Sequence, residues 1–265
     1  MSKNKEETNL RLAGLFVLLV VGLIILSLLL KLFFVFKDSK FDGTHNFIVG
    51  FSGPTYTKIV SFSPQSKTMS SVTVKNLSTK TALGESLEIP VDGLIKTDKN
   101  VQDKDISTLL LKSVSPFVNS LDGLTFIDAF RLSVFAKGVQ QGSIYDRSLS
   151  NSLSDSQRST ILNLTFTDPV IYSENQSIQI INASDMSGVG GRLASLVTNL
   201  GGNPILVTTA GNVQNISKII YYKTNSYTVK RLSSYLNFPA QESDKQGISD
   251  VTIIIGEDKV NKLNF

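Results

Sequence analysis

The sequence has no cysteine, no tryptophan and a single histidine, His45, among 265 residues. Without cysteine there is no disulfide, no thiolate nucleophile and no cysteine-held zinc. One histidine excludes a multi-histidine metal site, and a serine–histidine hydrolase would depend on His45, which has no G-x-S-x-G partner. His45 follows an apolar segment and reads as an exposed linker residue. Charge of one sign is scarce too: 26 Lys and Arg stand against 22 Asp and Glu, a net +4. Residues 1–40 hold six basic and three acidic side chains, and the remainder holds 20 and 19. A folded nucleic-acid reader carries its basic stripe on the folded part. Nucleic acid is therefore not an expected partner, and neither a metal nor a cofactor is expected.

What is present in quantity is apolar length near the start. Leu12 to Leu30 are 19 consecutive uncharged, mostly apolar residues, and "LFFVF" continues them past Lys31. At about 1.5 Å per residue this is enough to cross a hydrocarbon core of about 30 Å. A lysine near a helix end snorkels to the headgroups. Phe33, Phe34 and Phe36 occupy the place where a cleaved signal would show small residues. Residues 1–40 are expected to be a cytoplasmic tail and transmembrane anchor, an uncleaved signal anchor with the bulk of the chain outside the cell membrane. Lys3, Lys5 and Arg11 before the segment balance Lys31, Lys37 and Lys40 after it, so basic residues alone do not set the orientation.

Beyond residue 40 the pattern is that of an α+β protein. Residues 41–170 read as an α/β domain that opens with three short strands, "NFIVGF", "TKIVSF" and "MSSVTV", parted by Gly53-Pro54 and "SPQSK". Ile106, Leu109, Leu110, Val114, Phe117 and Leu121 follow helical spacing, with Pro116 placed to kink it. In "LTFIDAFRLSVFAKG", Thr125 and Asp128 resemble a capping box, Phe126, Phe130 and Val134 share a helix face, and Gly138 is the stop. "QQGSIYDRSLSNSLSDSQRS" reads as a polar loop, "ILNLTF" as a strand and "TDPVIYSENQ" as a linker.

Residues 171–265 give the order β-α-β-β-α-β, a split-βαβ domain of ferredoxin-like type. Its strands are "SIQII", "PILVTT", "SKIIYY" and "DVTIIIG". Val189, Leu193, Leu196, Val197 and Leu200 mark the first helix, ended by Gly201-Gly202, and Val229, Leu232 and Leu236 mark the second.

The first of these helices is entered through glycines, Gly188, Gly190 and Gly191. A dinucleotide fingerprint needs G-x-G-x-x-G and an acidic residue on the next strand; here the third glycine is misplaced and that strand ends Val207-Thr208-Thr209. The Walker lysine is absent as well. A helix N-terminus still attracts anions, so Ser184, Ser187, Gly188 and Gly190 stand as candidate ligand-binding residues beside a turn that serves only the fold. The carboxylate pairs Asp103 with Asp105 and Asp122 with Asp128 read as solvated or capping groups. The sequons at Asn76, Asn163, Asn175, Asn182 and Asn215 are ordinary in a chain rich in Asn and Ser.

Three stretches, "SIQIINASDMSGVGGRLASLVTNLGG", "SKIIYYKTNSYTVKRLSSYL" and "GISDVTIIIGED", together resemble the LytR C-terminal domain of bacterial envelope proteins. The carriers are Asn182-Ala183-Ser184, Gly188 to Arg192, Ile219 to Tyr222 and Ile255 to Asp258, within residues 177–259. That domain often follows a LytR-CpsA-Psr domain, an anchored extracytoplasmic enzyme that moves glycopolymers from a polyprenyl pyrophosphate carrier to the wall. The opening strands and the helix "TFIDAFRLSVFAKG" are similar to that domain, but its charged residues are not matched. Thr55-Tyr56-Thr57 stand where the family has an aspartate, and Lys75-Asn76 where it has an arginine–aspartate pair. Pyrophosphate transfer needs cations to neutralise the leaving group, and Lys75 could meet a phosphate only as a point charge.

The resemblance therefore implies a single-pass envelope protein with a degenerate transferase-like domain and no catalytic residues, binding peptidoglycan or a cell-wall glycopolymer, with Lys75 as a further ligand-binding candidate. Two other readings stay open. One is a divergent glycopolymer transferase using Lys58, Lys75, Arg131 and Arg147. The other is a structural protein-interaction module. A groove walled by Tyr221, Tyr222, Tyr227 or Tyr235 would favour the binding role, although core packing also accounts for those tyrosines.

Overall fold

The computed structural model describes residues 3–75, 77–98, 100, 101, 105–113, 121–150, 153–245, 247–261 and 263. Asn76, Asp103, Val114, Pro116 and Phe117, which the sequence placed in a sequon, a carboxylate pair and a kinked helix, lie outside the described residues. The chain divides into two units, Met1–Lys40 and Phe41–Phe265. The first contains α1 (Lys3–Lys37). Its stretch Gly14–Lys37, 24 residues, is long and apolar enough to cross a membrane.

The second unit is α+β, with two mixed sheets. The first sheet uses β1 (Phe47–Ser52), β2 (Tyr56–Ser63), β3 (Thr68–Lys75), β4 (Gly93–Lys96), β5 (Leu121–Asp122) and β6 (Ile144–Ser148). Their order is β5-β4-β1-β2-β3-β6. The meander β1–β2–β3 is antiparallel, as its tight turns require, and β4 and β6 join its two edges in parallel. The period of two sends Phe47, Val49 and Phe51 to one face and Ile48 to the other. The first face packs on α3 (Ile106–Ser113) and α4 (Phe126–Gly138) through Leu109, Leu110, Ala129 and Leu132. The second packs on α2 (Lys80–Leu87) and α5 (Asp155–Phe166) through Leu83, Leu87, Leu162 and Phe166. With both faces covered, the strands read as near-continuous apolar runs.

After α6 (Pro169–Glu174) the second sheet is built from β7 (Ser177–Asn182), β8 (Asn203–Thr209), β9 (Lys218–Tyr222), β10 (Ala240–Ser243) and β11 (Val251–Ile255). α7 (Val189–Asn199), α8 (Tyr227–Leu236) and α9 (Glu257–Val260) connect or follow these strands. The order is β10-β9-β11-β7-β8, and this corrects the split-βαβ expectation. A split unit has a foreign strand between its two parallel strands. Here β7 and β8, joined by α7, are direct parallel neighbours, and so are β9 and β10, joined by α8. The strand β10, "AQES", has no large apolar residue and gave no strand signal. It takes the edge beside β9 and leaves β11 as the central seam, parallel to β7 and antiparallel to β9.

Four further expectations are overturned between residues 121 and 176. Leu121 belongs to β5, not to the preceding helix. "ILNLTF" is the second half of α5: Ser154 and Gln157 form a reciprocal capping box, and Leu162 and Phe166 are buried at i, i+4. The linker "TDPVIYSENQ" contains α6, capped by Asp168 with Pro169 in its first turn. The polar loop holds β6, whose partner β3 supplies the pairing that its own sequence does not advertise. By contrast, the Thr125–Asp128 capping box forms, and Asp128 also accepts from the Phe41 N–H at 2.8 Å. The face shared by Phe126, Phe130 and Val134 is the exposed one.

One apolar core runs from β1–β3 through α2 and α5 into the second sheet. Polar contacts reinforce that junction at the end of α2, whose last carbonyls have no intrahelical partner. Arg158 donates to Ser86 O at 3.0 Å, Arg192 to Glu85 O at 3.1 Å, and Asn199 to Glu88 O at 2.9 Å. Two of these donors are cations at a helix C-terminus, where the macrodipole favours them.

Candidate functional site

The glycine-rich turn after β7 is built from its own residues. Asn182 Oδ1 accepts from the Ser184 N–H at 3.1 Å and from Ser184 Oγ at 2.7 Å, while Asn182 Nδ2 donates to Met186 O at 2.8 Å. Ser184 is buried, and Ser187 and Gly188 are exposed. Gly188 takes φ +79 at the start of α7, a conformation that favours glycine. A Cβ on Gly190 would come within 3.1 Å of Val207 on β8, so this glycine lets the helix lie close to its sheet. Lys75 belongs to the other sheet, exposed at the end of β3. No hydrogen bond among the described residues joins it to the turn.

The closing motif Ile255 to Asp258 is explained in the same way. A Cβ on Gly256 would stand 2.7 Å from Ile216 C and 2.8 Å from Gln214 O, so only glycine fits against that backbone. Asp258 accepts from the buried Ser217 through N–H at 2.8 Å and Oγ at 2.7 Å. Burial acts to raise the Asp258 pKa, and these bonds outweigh it and hold the carboxyl below its usual range.

The cations named for a transferase do not converge. Lys58, on β2, is buried, and its Nζ donates to Asp146 on β6 at 2.6 Å. Ser71 Oγ donates to the other oxygen of the same carboxylate at 2.8 Å. Strand alternation then turns Arg147 to the opposite face of the sheet. Thr57, near the position of the family aspartate, spends its hydroxyl on Leu77 O. Arg131 is on α4. Of the tyrosines, Tyr221, Tyr227 and Tyr235 pack against the core. Tyr227 also donates to the buried Asp168 at 2.8 Å and stacks on His45 at 4.6 Å. Burial and the Asp168 charge push its hydroxyl pKa well up.

Arg147 opens a different site. It lines a pocket of about 280 Å³ between β2, β3 and β6 on one side and the junction of α5 and α6 on the other. Ser63, Ser66, Thr68 and Ser70 line the sheet side, and Thr165 and Thr167 the helix side. The guanidinium carbon lies 5.8 Å from the centre of the Tyr145 ring. Its Nη1 is buried with no hydrogen-bond partner. A second buried donor, Asn46 Nδ2, also has none, although Asn46 Oδ1 accepts from Ser61 and from the pocket residue Ser63 at 3.1 and 2.7 Å. Buried donors of this kind are rarely left unpaired. The pocket thus offers one cation, a row of hydroxyls and an aromatic ring, a set suited to an anionic or polyhydroxylated group. In the sequence Arg147 stands out only beside Lys58, Lys75 and Arg131, as a cation for group transfer. The hydroxyl side was legible in "SFSPQSKTMSS", but β6 was not, so nothing brought the two together.

Residues 175–258 match the LytR_C family model, described as LytR cell envelope-related transcriptional attenuator. This range contains the whole second sheet. No curated protein matches the chain. Among solved structures, the chain is similar to TagT of B. subtilis at 11% identity, with 85% of this chain and 91% of that chain covered and a TM-score of 0.19. It is similar to ywtF from Bacillus subtilis at 11% identity, with 85% and 90% covered and the same TM-score. Likenesses at that score bear on neither fold nor activity.

Proposed function

We propose that this chain, which carries a LytR C-terminal domain over residues 175–258, is a single-pass envelope protein that holds a cell-wall polymer without chemically altering it. Gly14–Lys37 crosses the membrane, the short tail is cytoplasmic, and residues 41–265 stand outside. The 41–170 region is a degenerate transferase-like domain, and residues 171–265 brace it. The observation that carries the binding role is the buried, unpartnered Nη1 of Arg147 in a hydroxyl-lined pocket. A phosphate or carboxylate of an anionic wall glycopolymer would supply its missing acceptor, with charge-assisted hydrogen bonds, while Ser and Thr hydroxyls meet the sugar. A binding role is favoured over group transfer because Lys58 is neutralised by Asp146 and faces away from Arg147. A pyrophosphate leaving group needs such cations together.

The test is co-sedimentation of the full-length protein, in detergent, with wall sacculi that retain or have been stripped of their anionic glycopolymer. Retention by the intact sacculi alone, lost in Arg147→Gln, is expected. Equal retention of Arg147→Gln and the parent would sink the assignment of the site, and retention by neither preparation would sink the function.

A further inference from the structure

We infer that the exposed face of α4 rests on the lipid surface, in the headgroup region of the bilayer from which α1 emerges; this rests on reading Gly14–Lys37 as a spanning helix. Phe126, Phe130 and Val134, at i, i+4 and i+8, are 40%, 53% and 57% exposed. The opposite face of α4 is core, with Ala129, Leu132 and Ala136 buried. Leu111 of α3, the helix beside it, is also exposed. A continuous row of large apolar side chains on one helix is not the ordinary scatter of surface residues and marks a contact surface.

The chain itself selects the bilayer as that contact. Phe41 is buried against Phe47 and against Phe135 of α4, with ring centroids 5.5 and 6.3 Å away. Its N–H donates to Asp128 in the first turn of α4 at 2.8 Å. Only Asp38, Ser39 and Lys40 separate Phe41 from Lys37, the last residue of the membrane-length segment. Four Cα steps reach about 15 Å at most, so chain length alone keeps the start of α4 near the membrane exit.

Charge agrees with the same partner. The one carboxylate of α4, Asp128, is fully buried. The exposed charges closing α3 and α4 are Lys112 and Lys137. The exposed Asp105 and Asp122 precede those helices, and Asp38 stands between Lys37 and Lys40 at the exit. A helix whose apolar row carries no exposed acid of its own, with basic residues at its far end, suits an anionic leaflet.

The absence of tryptophan makes the test direct. Full-length Phe130→Trp, Ile24→Trp and Tyr172→Trp would each be reconstituted in phosphatidylcholine–phosphatidylglycerol vesicles containing lipid brominated near the headgroup end of its chains. Ile24→Trp would also be reconstituted with lipid brominated near the methyl end, because position 24 lies near the middle of the span. Strong quenching of Ile24→Trp, with Phe130→Trp quenched several-fold more than Tyr172→Trp and emitting to the blue of it, is the expected result. Phe130→Trp quenched no more than Tyr172→Trp, while Ile24→Trp is quenched, overturns the inference and leaves the anchor standing. Blue-shifted but unquenched Phe130→Trp also overturns it, in favour of a protein cover. An unquenched Ile24→Trp removes the anchor and this inference with it.

Discussion

Arg231 of α8 forks onto both carboxylate oxygens of Asp92, just before β4, at 2.9 and 2.8 Å. Both side chains are largely buried. Asp92 also accepts from the Ile48 N–H at 2.9 Å, which ties the pair to the central strand of the first sheet. Burial works against the Arg231 cation, but the Asp92 charge and hydrogen bonds outweigh it and raise its pKa above the ordinary value. The bridge therefore locks the region that matches the LytR_C model to the sheet before it. Asp92→Asn should cost about 3–5 kcal/mol, because it strands a buried cation. Replacing both residues, as Asp92→Leu with Arg231→Met, should recover much of that loss, since Arg231 Nε has no partner even in the parent. Urea unfolding of the three variants measures both effects, and a double variant as weak as the single one would contradict the account.

Gly256 and Gly191 should respond oppositely to alanine. The backbone of Gln214 and Ile216 leaves no room for a Cβ on Gly256, so Gly256→Ala has to push β9 away and should lower stability by a few kcal/mol. Gly191 is exposed on α7 with nothing within 4 Å of a Cβ, and Gly191→Ala should gain about 0.5–1 kcal/mol. Denaturant midpoints decide it. If the turn at Ser184–Gly190 held an anion against the start of α7, Gly191→Ala would weaken binding. If the turn serves the fold, binding is untouched.

What could be read from the sequence follows from where information is local. The strands β1 to β3, the cap at Thr125, the stop at Gly201 and the stripe Val189–Leu200 each carry their signal within a few residues, and each formed as expected. β6 and β10 carry polar or mixed sequences, and they are strands because a neighbour offers an unpaired edge, which no local pattern reveals. For α5 the signal is local, the Ser154–Gln157 box, but its first turns are polar enough to resemble a loop and "ILNLTF" is apolar enough to resemble a strand. The pocket was not legible, since Ser63 and Arg147 meet only through the parallel β3–β6 pairing.

Acid should unfold the protein through its helix caps. Burial would raise the Glu174 pKa, but hydrogen bonds from the Thr228 hydroxyl and from the Tyr227 and Thr228 N–H groups at the start of α8 hold it below the usual value. Asp250 is lowered by Ser177, whose hydroxyl donates to it at 2.6 Å. A carboxylate depressed in the fold contributes stability above its ordinary pKa, 4.5 for Glu174, and that contribution is lost as pH falls through the lower folded value. Urea midpoints from about pH 7 down to about pH 3 should therefore drop below pH 5 or so. Glu174→Gln should drop less steeply over that range. An equally steep fall would assign the acid sensitivity to other groups.

The rival transferase reading makes its own demand. It needs saturable, Mg²⁺-dependent binding of a polyprenyl pyrophosphate analogue that weakens in Lys75→Ala. Lys75 is exposed at a strand end, where a point charge is well screened. Calorimetry on the full-length protein should find no such dependence. Finding it would revive group transfer.

Arg147 should show the conflict between function and stability that a binding residue creates. A buried donor with no partner costs about 1–3 kcal/mol in the empty protein, and Arg147 Nη1 is such a donor. Arg147 lines the pocket, and an unbranched apolar replacement keeps the packing of an aliphatic stem. Arg147→Met should therefore unfold at a higher urea concentration than the parent while losing retention on wall sacculi that carry anionic polymer. Soluble anionic glycopolymer should also stabilise the parent and not the variant, because only a ligand that binds the native state raises the midpoint. If Arg147→Met is less stable than the parent and polymer shifts neither, the guanidinium serves the fold, and the pocket is not where the wall is held.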